Sequence, residues 1–177
     1  EAVPNLSISG NTFTLLFEGN KKIVSQIDGE GKIYVDVIFV DANTTKSRMF
    51  WLKKFSQKED EQVAPDCWSD DNVTPNMQST TKQADFCAQC PHNVWGTAIG
   101  DEGSGKGKRC REIWKTAVVV PAFSPEALFQ LRIPPASLKH WNAYMSQFAE
   151  IEVEGREGDA GDVVTRVYFE PEKQGII

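Results

Sequence analysis

Four cysteines, Cys67, Cys87, Cys90 and Cys110, follow the spacing C-x19-C-x2-C-x19-C. The central Cys87-Ala88-Gln89-Cys90 turn can aim two thiolates at one point. The outer pair, equally far along the chain, can close a tetrahedron around it. That is the donor set of a structural Zn²⁺ site with four sulfur ligands. Four protein ligands leave no coordination position for substrate, so such a metal holds structure and does no catalysis. His92, two residues past the knuckle, is a candidate substitute ligand, although a histidine there more often only shares the loop.

Competing chemistries for these thiols are weaker. Two disulfides would need an oxidising compartment, and no secretory segment is visible, although the sequence starts at Glu1 without Met and a trimmed leader stays open. A thioredoxin-like redox pair belongs at a strand-to-helix junction of a βαβ unit, and none surrounds this C-x-x-C. Iron–sulfur clusters usually take three cysteines packed closely together. Structural zinc is therefore the favoured reading.

Other chemistry-bearing residues are few. Gly100-Asp101-Glu102-Gly103-Ser104-Gly105-Lys106 fits G-x-x-x-x-G-K, but Gly107 stands where Ser or Thr would hold Mg²⁺, and no buried strand precedes it. It reads better as a glycine loop presenting Lys106, Lys108 and Arg109. There are two histidines, His92 and His140, and neither H-E-x-x-H nor G-x-S-x-G occurs. Asp70-Asp71 and Glu59-Asp60 could hold Mg²⁺ in a nuclease, but acids in polar loops are usually only solvated. No catalytic residue is assigned, and the chain is read as a non-enzyme.

The charge pattern points to an anionic ligand. Net charge is −6, yet Lys46 to Lys58 holds five basic residues and no acid, and Lys106 to Lys115 holds five against Glu112 alone. Glu150 to Glu172 has eight acids against Arg156 and Arg166, which equals the whole net charge. Aromatic residues interleave with the basic ones. Single-stranded nucleic acid is held by cations tracking its phosphates and by flat side chains on which bases stack. The stacking candidates are Phe50, Trp51 and Trp95; the phosphate candidates are Arg48, Lys53, Lys54, Lys106, Lys108, Arg109 and Arg111. Trp141, on an apolar helix face, is expected in the core.

These residues need a frame. Phe13–Phe17, Lys32–Val40, Arg48–Phe55, Ile113–Val120, Leu128–Ile133 and Val163–Phe169 read as strands, the second and third as a hairpin. Leu138, Trp141, Met145 and Phe148 recur at helical spacing, which predicts a helix over 136–149. Gly175-Ile176-Ile177 could begin a further strand. Between about 57 and 111 regularity disappears, and a loop this long needs an ordering agent, which a bound metal supplies. The expected architecture is mainly β: a single OB-fold-like small antiparallel barrel over 1–177 with one helix and an inserted four-cysteine module at approximately 57–111. A β-sandwich is the alternative. No apolar run reaches the ~18 residues of a spanning helix, so no membrane partner is expected.

Several words occur here in one order: Val40-Asp41-Ala42-Asn43, Ala64-Pro65-Asp66-Cys67-Trp68-Ser69, Cys87-Ala88-Gln89-Cys90-Pro91-His92-Asn93-Val94-Trp95-Gly96, Gly105-Lys106-Gly107-Lys108-Arg109-Cys110 and Ile133-Pro134-Pro135-Ala136-Ser137-Leu138-Lys139. Together, from about Leu6 to Phe169, they resemble a family of bacteriophage single-stranded-DNA-binding proteins. The resemblance implies an oligonucleotide-binding barrel and a role in phage DNA replication or recombination. It implies single-stranded DNA as partner, other replication or recombination proteins beside it, and the cytoplasm of the infected host cell as location. It also implies a further strand and an acidic tail beyond Ile177. It carries over the four cysteines as candidate metal ligands and no DNA contacts. Oligomeric state, a homo-oligomer included, stays open. The alternative function is a zinc-stabilised module that docks onto a replication protein.

Overall fold

The computed structural model describes residues 3–53, 64–98, 105–148, 150–170 and 175–176. In chain order these form β1 (Asn5–Ser9), β2 (Thr12–Phe17), β3 (Asn20–Ile23), β4 (Gln26–Ile27), β5 (Ile33–Ala42), β6 (Ser47–Phe50) and β7 (Cys67–Ser69). Then come β8 (Arg111–Val120), β9 (Ser124–Ile133), α1 (Leu138–Phe148), β10 (Glu152–Val153), β11 (Arg156–Glu157), β12 (Thr165–Glu170) and β13 (Gly175–Ile176). Among the described residues the protein is mainly β with one α-helix. The chain divides into two compact units: unit 1 is Glu1–Asn43 with Lys115–Ile177, and unit 2 is Thr44–Trp114.

In unit 1, tight turns set the first registers. Gly10-Asn11 and Glu18-Gly19 both have positive φ at both positions, the backbone a two-residue hairpin needs. They pair Ser9 with Thr12 and Phe17 with Asn20. The strand order is β13-β12-β5-β8-β9-β1-β2-β3, with β4 also on β5. The β-branched and aromatic run of β5 is central, between β12 and β8. The β1–β9 junction is parallel, a departure from a wholly antiparallel sheet. Phe13 on β2 and Phe169 on β12 lie far apart in this order, yet their rings are 4.4 Å apart. The sheet therefore curls toward itself into a half-barrel, around Phe13, Leu15, Val35, Val37, Val118 and Leu131, each at most 1% exposed. Trp141 is buried as expected and packs on Phe39 with ring centroids 5.0 Å apart.

In unit 2 the order is β7-β6-β8. Here the hairpin expectation is corrected. The strand foreseen over Arg48–Phe55 is β6, ending at Phe50, and its neighbours are β7 and the start of β8 rather than β5. The cross-strand pairing of Arg48 with Glu112 explains the choice, because opposite charges directly across a ladder favour that register. Residues 54–55 of that expectation lie outside the described residues. Unit 2 buries little carbon. Among its described residues the buried apolar side chains are Met49, Phe50, Pro75, Ile113 and the four cysteines. No helix among the described residues is long and apolar enough to cross a membrane.

Candidate metal centre and nucleic-acid surface

Cys67 lies on β7 opposite Phe50, and Cys110 directly precedes β8. Between them, Cys87–Gln89 forms one 3₁₀ turn and Pro91–Asn93 another, with Cys90 at the joint. The Cys90 N–H donates to the Cys87 carbonyl at 3.3 Å, which folds the knuckle back on itself. Pro91 has the fixed φ suited to a first helical position and ends the preceding turn. Two longer ties hold the knuckle. The Cys87 N–H donates to the Val73 carbonyl at 2.8 Å, and the Cys110 N–H to the His92 carbonyl at 2.9 Å.

All four cysteines are buried, none is in a disulfide, and all four line one cavity of about 10 Å³. That is about the room of a single water-sized sphere. Burial pushes the Cys110 thiol up to about 11, partly opposed by the Arg48 guanidinium; burial also raises Cys87, partly opposed by Ser69 and Arg48. These thiols stay neutral near pH 7 unless a bound cation compensates their ionisation. The donor set and the shared cavity fit a four-sulfur ion. Among the described residues, however, no three His, Cys, Asp or Glu side chains close into a metal shell. His92 does not line the cavity. Its ring stacks on Phe50, with centroids 4.4 Å apart and planes 19° apart, and Nε2 meets Gln83 Oε1 at 3.2 Å.

Arg48 is 6% exposed and faces inward. Its Nε donates to Asn72 Oδ1, Nη1 to Asn93 Oδ1 at 2.6 Å, and Nη2 to Glu112 Oε1 at 2.8 Å. Asn93 also donates from Nδ2 to the Cys87 carbonyl at 2.9 Å, so Arg48 is coupled to the knuckle. Lys108 donates to Asn93 and Glu112, and Lys46 to Glu112. Burial raises the Glu112 carboxyl, but Lys108, Arg48 and Lys46 outweigh it and hold the group below its usual range.

The surface residues divide accordingly. Arg48 serves this internal network rather than an open face, and Phe50, 1% exposed, is covered by His92 and by the Arg109 guanidinium 5.0 Å from its centroid. Trp51 is half-buried. Lys53, Lys106 and Arg111 are exposed, and Trp95 is 73% exposed. Lys54 lies outside the described residues, as do Glu59, Asp60 and residues 100–104 of the glycine loop. What remains is held together by the backbone. The Gly96 N–H donates to the Gly107 carbonyl at 2.7 Å, which sets Trp95 beside the Lys106–Arg109 segment. A Cβ at Gly105 would stand 2.5 Å from the Ala98 carbonyl oxygen, so only glycine permits this approach. Arg109 Nη2 donates to the Leu52 carbonyl at 2.6 Å, bringing the Trp51–Lys53 end to the same segment.

Sequence reasoning missed the supports. Asn72, Asn93, Gln83 and Ser69 carry no charge or motif that marks them. Asp71 was legible only as an acid in a polar loop. Its Oδ1 accepts from the Ser69 hydroxyl at 2.8 Å and from the N–H groups of Val73 and Thr74 at 2.8 and 3.0 Å. Asp70 accepts from Asn76 Nδ2 at 3.0 Å. The acid pair thus builds the turn that follows β7. The Thr74 and Val73 amides, with Ser69, hold the Asp71 carboxyl down to about 2, against an ordinary 3.8. A carboxylate lowered on folding stabilises fully above the unfolded value and loses its contribution as pH falls through about 2. Acid unfolding of wild type should therefore show a component between about pH 4 and 2 that Asp71→Asn lacks, measured by tryptophan fluorescence.

Compared with known protein families, known proteins and solved structures, the chain gives no match.

Proposed function

We propose that this protein is a non-catalytic single-stranded-DNA-binding protein, with a barrel of OB type and an inserted module built on a structural zinc. The observation that carries the reading is Trp95. It is a large flat ring, 73% exposed, on a segment hydrogen-bonded to the one that bears Lys106, Lys108 and Arg109. Base stacking and phosphate attraction need that juxtaposition. Lys53, Lys106 and Arg111 are the exposed cations among the phosphate candidates. The role in phage replication or recombination rests on the sequence resemblance.

Zinc would be held by Cys67, Cys87, Cys90 and Cys110, and when bound it supplies cross-linking that a small core does not. The support is that four of unit 2's eight described buried apolar side chains are these cysteines. Arg48 and Asn93 brace the knuckle, and the knuckle sets the position of the Trp95 and Lys106 segments. The alternative, a module docking onto a replication protein, has its own support in unit 2. Met77 is 90% exposed, Phe86 50% and Val94 56%.

Trp95→Ala separates the two. Loss of one stacking platform costs about 1–3 kcal/mol, or about 5- to 150-fold in affinity for oligo(dT). Unchanged affinity in the folded variant would remove Trp95 from the site and favour the docking module.

A further inference from the structure

The hydrogen-bonded network beside the cysteines carries a charge that it does not balance itself. Arg48, Lys108 and Lys46 all meet one carboxylate, Glu112, at 2.8, 3.2 and 3.4 Å. Three cations around one anion leave two positive charges over. Arg48, 6% exposed, has little water to screen its share. Among the described residues that line the four-cysteine cavity, Arg48 is also the one with a charge. Phe50, Pro75 and Ala84 share that wall, so electrostatic interactions across it are weakly damped.

The other acceptors of the network preserve the surplus. Arg48 donates from Nε to Asn72 Oδ1 and from Nη1 to Asn93 Oδ1, and Lys108 donates to the same Asn93 oxygen at 2.9 Å. Aspartate would offer an oxygen at either position and would cancel a charge; an amide accepts the bond without doing so. At Asn93 the amide has a second use, because Nδ2 donates to the Cys87 carbonyl. At Asn72 the backbone does not dictate the choice, since its φ of 65° suits aspartate as well. Asp71, joined to Ser69 of the cavity wall, is exposed and already accepts from two backbone amides.

Surplus charge in a buried network is costly unless an opposite charge meets it. Four thiolates on one divalent ion carry two negative charges, equal and opposite to this surplus.

We propose that Arg48, Lys46 and Lys108 form the counter-charge of the metal centre, and that the amides of Asn72 and Asn93 preserve it. All five are positioning residues. They favour the cysteines as thiolates around a divalent ion and, by drawing on their electron density, make those thiolates poor nucleophiles. The inference rests on the zinc reading above and names what sets the strength of that site.

Two nearly isosteric substitutions in the full zinc-loaded chain test it. Asn72→Asp adds a negative charge to the network, and Glu112→Gln removes one. Competition with a chromogenic chelator gives zinc affinity, and the rate at which iodoacetamide frees the metal gives thiolate reactivity. Asn72→Asp should weaken zinc binding about tenfold, the lower end of the effect of outer partners of metal ligands, and speed its release. Glu112→Gln should tighten binding several-fold and slow release. A bridge with a merely structural role predicts the opposite signs, because aspartate would strengthen the bond to Arg48 and glutamine would weaken three ion pairs. Lys108→Met, on a partly exposed side chain, should weaken zinc several-fold whether or not Asn72→Asp folds. Opposite signs, or zinc affinity and release unchanged in the folded variants, would overturn the proposal and leave the zinc reading standing. A wild type that binds no zinc would overturn both.

Discussion

Replacing Cys90 by serine is expected to cost the chain its zinc and, with the zinc, the order of unit 2. The expectation follows from how little else holds that unit. Its described buried apolar residues, apart from the cysteines, are Met49, Phe50, Pro75 and Ile113. Structural zinc sites are worth about 10–16 kcal/mol at neutral pH, against about 5–15 kcal/mol for the net stability of a whole domain. Loss of one ligand should therefore exceed what four apolar side chains retain. The purified wild type should carry one zinc per chain by metal analysis. Cys90→Ser and chelated wild type should both show fast amide exchange in unit 2, while the β5 and β8 amides from Lys115 onward stay protected. Oligo(dT) affinity should fall with them. A metal-free wild type with unit 2 intact would disprove the zinc assignment.

Arg48→Ala should be strongly destabilising, although the side chain is charged. The side chain satisfies Asn72, Asn93 and Glu112 at once and is 6% exposed. Removing one member of a buried charged pair costs about 3–5 kcal/mol, because its partners are left desolvated and unpaired. Glu112 keeps Lys108 and Lys46, which places the expected loss near the lower end, about 3 kcal/mol. Denaturant unfolding checks the loss. If Arg48 were instead a surface phosphate contact, the variant would unfold at the wild-type midpoint and lose only DNA affinity.

Arg48 also marks where the sequence stops being readable. An arginine between aromatic and basic neighbours looks like a phosphate contact. Its inward role depends on Asn72, Asn93 and Glu112, which lie 24, 45 and 64 residues away. No local pattern encodes that convergence. β6 is buried at all four positions, so it shows none of the alternation that marks a half-buried strand. β3 fails for the opposite reason, being exposed throughout. Where burial follows a period, the reading succeeded. β5 was visible in its β-branched run and α1 in the spacing of Leu138, Trp141 and Phe148. The knuckle was visible because two residues between cysteines is a local constraint. That the four thiols share one cavity required the fold, since β7 and β8 bring in the outer pair.

The central claim is that this chain holds single-stranded DNA through stacking and phosphate contacts. Fluorescence anisotropy of labelled oligo(dT), against duplex of equal length over a salt series, tests it most directly. The account predicts tighter binding to the single strand, with log affinity falling linearly in log salt. A slope of about −0.7 per phosphate contact should become shallower by about one contact in Lys106→Ala. No binding at low salt by the zinc-loaded protein would contradict the account and leave the basic segment as solvated surface.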